Sequence, residues 1–134
     1  MLRILDPNTM TTAEVAKRLV TLCRRGAWEQ ALDELFHENA TSIEPEGAMS
    51  GTTTGIANIQ KKGQVWSKMV KEFHGVDVSE PLVAGTHIVL KMVSDITFHE
   101  GGRQQSEEIC LYHVENGRIL TEQFFYEPPK PPTV

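Results

Sequence analysis

The sequence is poor in the features that mark many specialised proteins. It has two cysteines, Cys23 and Cys110, far apart in the chain. They form neither a CxxC pair nor a disulfide framework, which fits a reducing compartment, so a cytoplasmic location is expected. No apolar run approaches the ~20 residues of a membrane span. The segment Met1–Pro7 lacks the apolar core of a signal peptide. Basic residues are outnumbered 13 to 18, for a net charge of -5. That argues against nucleic acid and against anionic membranes, both of which call for a basic face. None of the five histidines pairs as HxH, HxxxH or HExxH, so no metal site is expected. Gly51 and Gly55 fit neither GxGxxG nor the P-loop, and no cofactor is expected.

What remains is an ordinary globular composition on 134 residues, enough for one domain with its own core. The expected layout is a single domain over 1–127 and a proline-rich tail over 128–134, whose prolines cannot donate ladder hydrogen bonds. The first half reads helical. Thr11-Thr12-Ala13-Glu14 has capping-box spacing. Val15, Leu19 and Leu22 then form an apolar stripe, and Arg24-Arg25-Gly26 reads as a helix stop. A second helix follows on Trp28, Ala31, Leu32, Leu35 and Phe36. Ala40–Glu44 reads as a short strand stopped by Pro45, and Ser50–Thr54 as a polar turn. A third helix is expected from about Gly55 to Phe73, with Ile56, Ile59, Gly63, Trp66 and Val70 inside. Gly63 costs about 1 kcal/mol there against Ala, which predicts a close approach of the helix to a neighbour. Lys61-Lys62 reads as a solvated face, and His37 and His74 as helix C-terminal residues.

From Gly75 the period changes to two. Strands are expected over 76–84, 87–99, 104–115 and 118–126. Their separators are Ala84-Gly85, Gly101-Gly102 and Asn116-Gly117, the last a strong hairpin signal. Three helices followed by a meander predict an α+β fold, with the helices packed on one face of a curved, mainly antiparallel sheet. Both faces of the late strands carry apolar residues. Cys110, Tyr112 and Val114 oppose Ile109 and Leu111; Leu120, Phe124 and Tyr126 oppose Ile119 and Phe125. The chain is too short to cover a second face itself, so a homodimer through the outer sheet face is expected.

Leu35–Pro45, then Ser50-Gly51-Thr52 with Gly55–Ile59, then Asn116–Ile119 and Phe124–Tyr126 resemble, in that order, the SnoaL-like branch of the nuclear transport factor 2-like superfamily. The resemblance covers roughly residues 11–127. It implies a cone-shaped roll with an apolar pocket, dimerisation through the outer sheet face and a small-molecule ligand. Its members include isomerases, cyclases, dehydratases, epoxide hydrolases and non-enzymatic carriers, so the fold does not decide the chemistry.

The resemblance to ketosteroid isomerases places Glu44 where those enzymes hold a general base. It places Leu19 and Cys110 where they hold oxyanion donors. Leu donates nothing and a thiol donates weakly, so the usual isomerase route is not expected. Arg103 sits at a hairpin tip, a poor match to the Asp-Arg-Asp of the epoxide hydrolases.

Strand parity adds further candidates. If Cys110 faces the pocket, so do Glu108 and Tyr112; if Phe124 and Tyr126 do, so does Glu122. Asp95 is an unusual mid-strand carboxylate. Trp66 is a candidate pocket wall. The catalytic candidates are therefore Glu44, Glu108, Glu122 and Tyr126; the pocket candidates are Leu19, Trp66, Asp95, Cys110, Tyr112 and Phe124. Cys110 also reads as a plain buried hydrophobe, because nothing near it in sequence would lower its pKa. The expected function is binding of a small, mostly apolar molecule, with acid–base chemistry by Glu44. A carrier or sensor, or a dimeric interaction domain, remains the alternative.

Overall fold

The structure is a computed structural model and describes residues 8–128. The expectations for Met1–Pro7 and for the tail after Pro128 lie outside the described residues. The element order is α1 (Thr12–Arg24), α2 (Trp28–Leu35), β1 (Phe36–Ile43), β2 (Thr52–Thr54), α3 (Ile56–Met69), β3 (Val70–Val78), β4 (Leu82–Ala84), β5 (His87–Phe98), β6 (Gly102–Glu115) and β7 (Arg118–Phe125).

The start of α1 follows from its capping box. The Glu14 N–H donates to Thr11 Oγ1 at 3.2 Å, and the Thr11 N–H donates to Glu14 Oε1 at 2.9 Å. The helix stops at Gly26, whose φ of +66° is costly for any residue with a Cβ. Asn116 and Gly117, at φ 51° and 75°, build the hairpin between β6 and β7.

Strand order in the sheet is β2-β1-β7-β6-β5-β3, with β4 also on β5. The pairs β3–β5, β4–β5, β5–β6, β6–β7 and β1–β2 are antiparallel. The pair β1–β7 is parallel, which makes the sheet mixed. The fold is α+β, three helices on a curved, mostly antiparallel sheet, as the sequence predicts.

Six local expectations are corrected. Phe36 ends the second helix in the sequence reading but opens β1 here, with extended φ and ψ and Ile119 as its partner. The Ser50–Thr54 turn contains β2, because Thr52–Thr54 complete the ladder of Thr41–Ile43. The third helix ends at Met69 rather than Phe73. Val70 onward pairs with the far end of β5, and a β-branched residue at that point fits a ladder better than a helix. His37 and His74 consequently stand on strands, not at helix ends; the expected 76–84 strand is split into β3 and β4 around Pro81. Gly63 has no atom within 4 Å of where a Cβ would lie, so no close approach explains it.

The core lies between the helices and the inner sheet face. Val15, Leu19, Leu22 and Cys23 of α1 meet Leu35, Phe36, Ile88, Leu90, Val114 and Ile119, all buried. Full burial of one such aliphatic side chain contributes about 1.5–3 kcal/mol. Parity in β7 does not run straight. His113 pairs with Thr121 but Val114 pairs with Ile119, so Leu120 is an extra residue, a bulge. Ile119 thereby turns into the core instead of outward, and Glu122 and Phe124 keep the inner side.

Candidate functional site

Ser42, on β1, and Glu44, just past its end, point to the same side because their spacing is two. The Glu44 N–H donates to Gly51 O at 3.1 Å, and Pro45 ends the ladder there. Across the site, α3 presents Ile59, Lys62 and Trp66 on one stripe. Lys62 Nζ donates to Ser42 Oγ at 2.7 Å and to Glu44 Oε1 at 3.0 Å. It lies 5.7 Å from the centroid of the Phe124 ring, close enough for a cation–π contribution. The Tyr126 hydroxyl donates to Glu44 Oε2 at 2.6 Å. The Lys62 and Glu44 side chains are only 19% and 14% exposed, so this ion pair is far less screened than a surface pair.

Two more carboxyls approach from the sheet. Glu122 is buried and is the ladder partner of Ser42 in the parallel pair, so the two stand side by side on β7 and β1. Burial pushes its pKa up to about 7; the Ser42 hydrogen bond and the Lys62 charge oppose the rise, and the Glu44 charge adds to it. Glu108, on β6, is likewise pushed up to about 7. Burial is the main cause, the Glu44 and Glu122 charges add, and the Cys110 hydrogen bond and Lys62 oppose. The Cys110 thiol donates to Glu108 Oε1 at 3.7 Å. Burial and then the Glu44 hydrogen bond hold the Tyr126 hydroxyl well above its ordinary pKa, so it stays a donor.

Of the four residues named as catalytic candidates, Glu44 contacts the Lys62 ammonium and Tyr126 contacts Glu44, while Glu108 and Glu122 lie near enough on the sheet for their charges to act on one another and on Glu44. The pocket candidates divide. Phe124 lies under Lys62. Cys110 and Tyr112 are fully buried on the inner face beside Glu108 and Glu122, and burial raises the pKa of both. Leu19 is a core residue of α1. Trp66 packs edge-on against Phe98, with centroids 6.5 Å apart at 79°. Asp95 does not join the group. Its parity on β5 is opposite to that of Met92 and Ile96, so it stands on the outer face. There it accepts two hydrogen bonds from the Arg103 guanidinium, at 2.9 and 2.7 Å. Those hydrogen bonds hold its carboxyl below the usual range.

Two members of the group escape the sequence reading. Lys62, read as solvated beside Lys61, is the hub. The signal was its place three residues after Ile59 and four before Trp66, on the inner stripe. Ser42 was visible only as the residue two before Glu44. Two shallow clefts lie elsewhere. One of about 430 Å³ is floored by Leu32, Phe36 and Ile56 and rimmed by Arg118; the other, of about 400 Å³, is beside Thr11 and His113. Among the described residues, no group of three or more His, Cys, Asp or Glu is arranged to hold a metal ion. No described helix is long and apolar enough to cross a membrane.

The sequence pattern of the SnoaL-like domain matches residues 10–126. A Mesorhizobium loti protein provisionally named a SnoaL-like polyketide cyclase is 31% identical and superimposes with a TM-score of 0.82, over 87% of this chain and 100% of its own. A nuclear transport factor 2-like protein of Burkholderia pseudomallei, of unknown function, is 16% identical with a TM-score of 0.72, over 88% and 92% of the two chains. A Catenulispora acidiphila protein with a ketosteroid isomerase-like fold, in complex with trimethylamine, is 20% identical with a TM-score of 0.69, over 87% and 88%. No curated protein matches this chain. The sequence match and the shared fold together place the chain in the SnoaL-like domain family, on a nuclear transport factor 2-like fold.

Proposed function

We propose that the chain binds a small, mostly apolar organic molecule between α3 and the inner sheet face, and that it carries out cofactor-free proton transfer on it with Glu44 as base. The observation that supports this reading is Glu44 held between Lys62 and Tyr126, with the buried carboxyls of Glu108 and Glu122 on the neighbouring strands at the edge of an apolar core. Glu44 removes a proton alpha to a carbonyl, and the electron pair moves onto the carbonyl oxygen. Glu108, whose pKa burial holds up to about 7, can stay a neutral acid near neutral pH and donate a hydrogen bond to that oxygen. Tyr126 fixes the orientation of Glu44. The same three roles serve isomerase-, cyclase- and dehydratase-type reactions. The provisional cyclase name of the Mesorhizobium loti relative supports the class. The small organic molecule bound by the Catenulispora acidiphila protein supports a ligand site on this fold.

The test is a thermal-shift screen of polycyclic, aromatic and terpenoid ketones on the wild type and Glu44→Gln, followed by turnover assays of every hit. A ligand at 100 times its dissociation constant stabilises by about 2.7 kcal/mol, a shift of several degrees. The reading expects turnover by the wild type and none by Glu44→Gln. Binding without turnover in both proteins would replace it with a carrier.

A homodimer through the outer sheet face belongs to the same proposal. Ile109, Phe125 and Leu82 are 41%, 47% and 72% exposed; Ile109 pairs with Phe125, Leu82 pairs with Val89, and Val89 in turn pairs with Leu111, two residues along from Ile109 on the same face. An exposed apolar patch of this kind is expected to be covered. Phe125→Glu should give a monomer in sedimentation. An unchanged sedimentation coefficient, or a monomeric wild type, would reject the interface.

A further inference from the structure

We propose that His87 and His113 form a two-histidine site for a divalent transition-metal ion on the outer face of the sheet. The site stands apart from the Glu44 group. Ile88, Tyr112 and Val114 are buried on the inner face, so their chain neighbours His87 and His113 face outward. The two histidines are far apart in sequence, and no local spacing announces them, but they are ladder partners across β5 and β6. The Val114 N–H donates to Thr86 O at 2.8 Å. That bond joins the residues flanking the pair, so His87 and His113 occupy a non-hydrogen-bonded position, where facing side chains come closest. Their rings stack, with centroids 4.8 Å apart and planes 9° apart.

The separation fits chelation. With metal–nitrogen bonds of about 2 Å, two imidazoles at a right or tetrahedral angle on one ion have centroids roughly 4.5–5 Å apart. Parallel rings cannot both aim at one ion, so binding turns them about χ2, a broad and soft torsion in histidine. Thr86 Oγ1 lies 3.2 Å from His87 Nδ1. When Nδ1–H donates to that oxygen, Nε2 keeps the lone pair that an ion needs, and the hydroxyl supplies the outer-shell support of a metal-bound histidine. Water has access to the other coordination positions. His87 is exposed, and His113 and Thr86 line the cleft of about 400 Å³ together with Glu115. Imidazole nitrogens suit Zn²⁺, Ni²⁺ or Cu²⁺, whereas Mg²⁺ and Ca²⁺ call for oxygen ligands.

The experiment titrates the full chain with Zn²⁺ and follows the histidine ring nitrogens by ¹H–¹⁵N NMR, with calorimetry for stoichiometry and affinity. The expected result is one ion per chain. A ring nitrogen of His87 and one of His113 should shift strongly, while those of His37, His74 and His99 stay in place. His87→Ala and His113→Ala should each lose binding at Zn²⁺ concentrations that saturate the wild type, and His99→Ala should keep it. Thr86→Val, which keeps the shape and removes the hydroxyl, should weaken affinity about 10-fold. A wild type whose ring nitrogens do not move, equal shifts at all five histidines, or an alanine variant of either ligand with unchanged affinity would overturn the site. One ion per two chains would also overturn it, since the ion would then bridge copies rather than close a chelate within one chain. None of these readouts involves Glu44 or turnover, so the failure of either proposal leaves the other standing.

Discussion

Two halves of one sheet face have opposite chemistry. Near α1, the inner positions are Ile88, Leu90, Val114 and Ile119, all buried against Val15, Leu19 and Leu22. Near α3, the same face carries Ser42, Glu44, Glu108 and Glu122 around Lys62. Strand β6 shows the change in four inward positions: Val114, Tyr112, Cys110, Glu108. The first three are closed off from solvent, and the fourth is a carboxyl that burial holds near 7. One half supplies the free energy of folding, and the other uses part of it to keep carboxyls in a place that water would otherwise stabilise better.

The largest expected effect is in the apolar half. Leu19→Ala should cost about 3–5 kcal/mol in urea unfolding, since Leu19 is almost fully buried in a packed core. The loss should not depend on pH.

The polar half should answer to pH instead. Glu108 and Glu122 have folded pKa values near 7, above the ordinary 4.5. Each binds its proton more tightly when folded, so its contribution is full below about pH 4.5 and is lost as pH rises through about 7. At 1.36 kcal/mol per pH unit, the fall is about 3 kcal/mol for each, and less where both owe part of the shift to Glu44. Urea unfolding between pH 4.5 and 8 should show the slope, and Glu122→Gln should flatten it. A flat wild-type curve would mean that the polar half is wetter than its packing indicates.

Lys62→Met sharpens the contrast further. At pH 8 it leaves Glu44 and an ionised Glu122 without their cation and should cost about 2–3 kcal/mol. At pH 5 Glu122 holds its own proton, so the cost should be smaller. Equal losses at both pH values would mean that Lys62 acts through its packed stem rather than its charge.

The smallest effect is expected for the pair that looks strongest on paper. Asp95 and Arg103 are bidentate but solvent-exposed on the outer face. Asp95→Asn should leave the unfolding midpoint within error. A measurable drop would mark the outer face as covered.

The fold was legible where local chemistry agrees with tertiary context. The Thr11–Glu14 cap, the Gly26 stop, the Asn116-Gly117 hairpin and the long alternating strands all stand where their patterns put them. Legibility failed where pairing partners decide. Val70–Phe73 continue a helical stripe in sequence, yet β5 offers them a ladder. Phe36 does the same at the start of β1. For the candidate site, parity brought Glu108, Glu122 and Tyr126 together with Glu44, because a spacing of two survives the Leu120 bulge on its C-terminal side. Asp95 was singled out only as an unusual mid-strand carboxylate, and its parity, opposite to that of Met92 and Ile96, puts it on the outer face. Lys62 was hidden because a lysine beside a lysine reads as solvent-facing until the helix phase is taken from Ile59 and Trp66.

The parallel pairing of β1 with β7 has a kinetic consequence. Glu44 and Tyr126 lie 82 residues apart in the chain. The strand that carries Ser42 can pair early with β2 on one side, but its other neighbour, β7, is the last strand of the chain. The β5–β6–β7 hairpins can close quickly through local turns, while β1 must wait for a long loop to shut. The contact of Glu44 with Tyr126 therefore needs this late closure to form. A chain with a complete meander but without the β1–β7 pairing has Glu44 and Tyr126 apart, and opening that pairing separates them while the β5–β6–β7 hairpins stay closed.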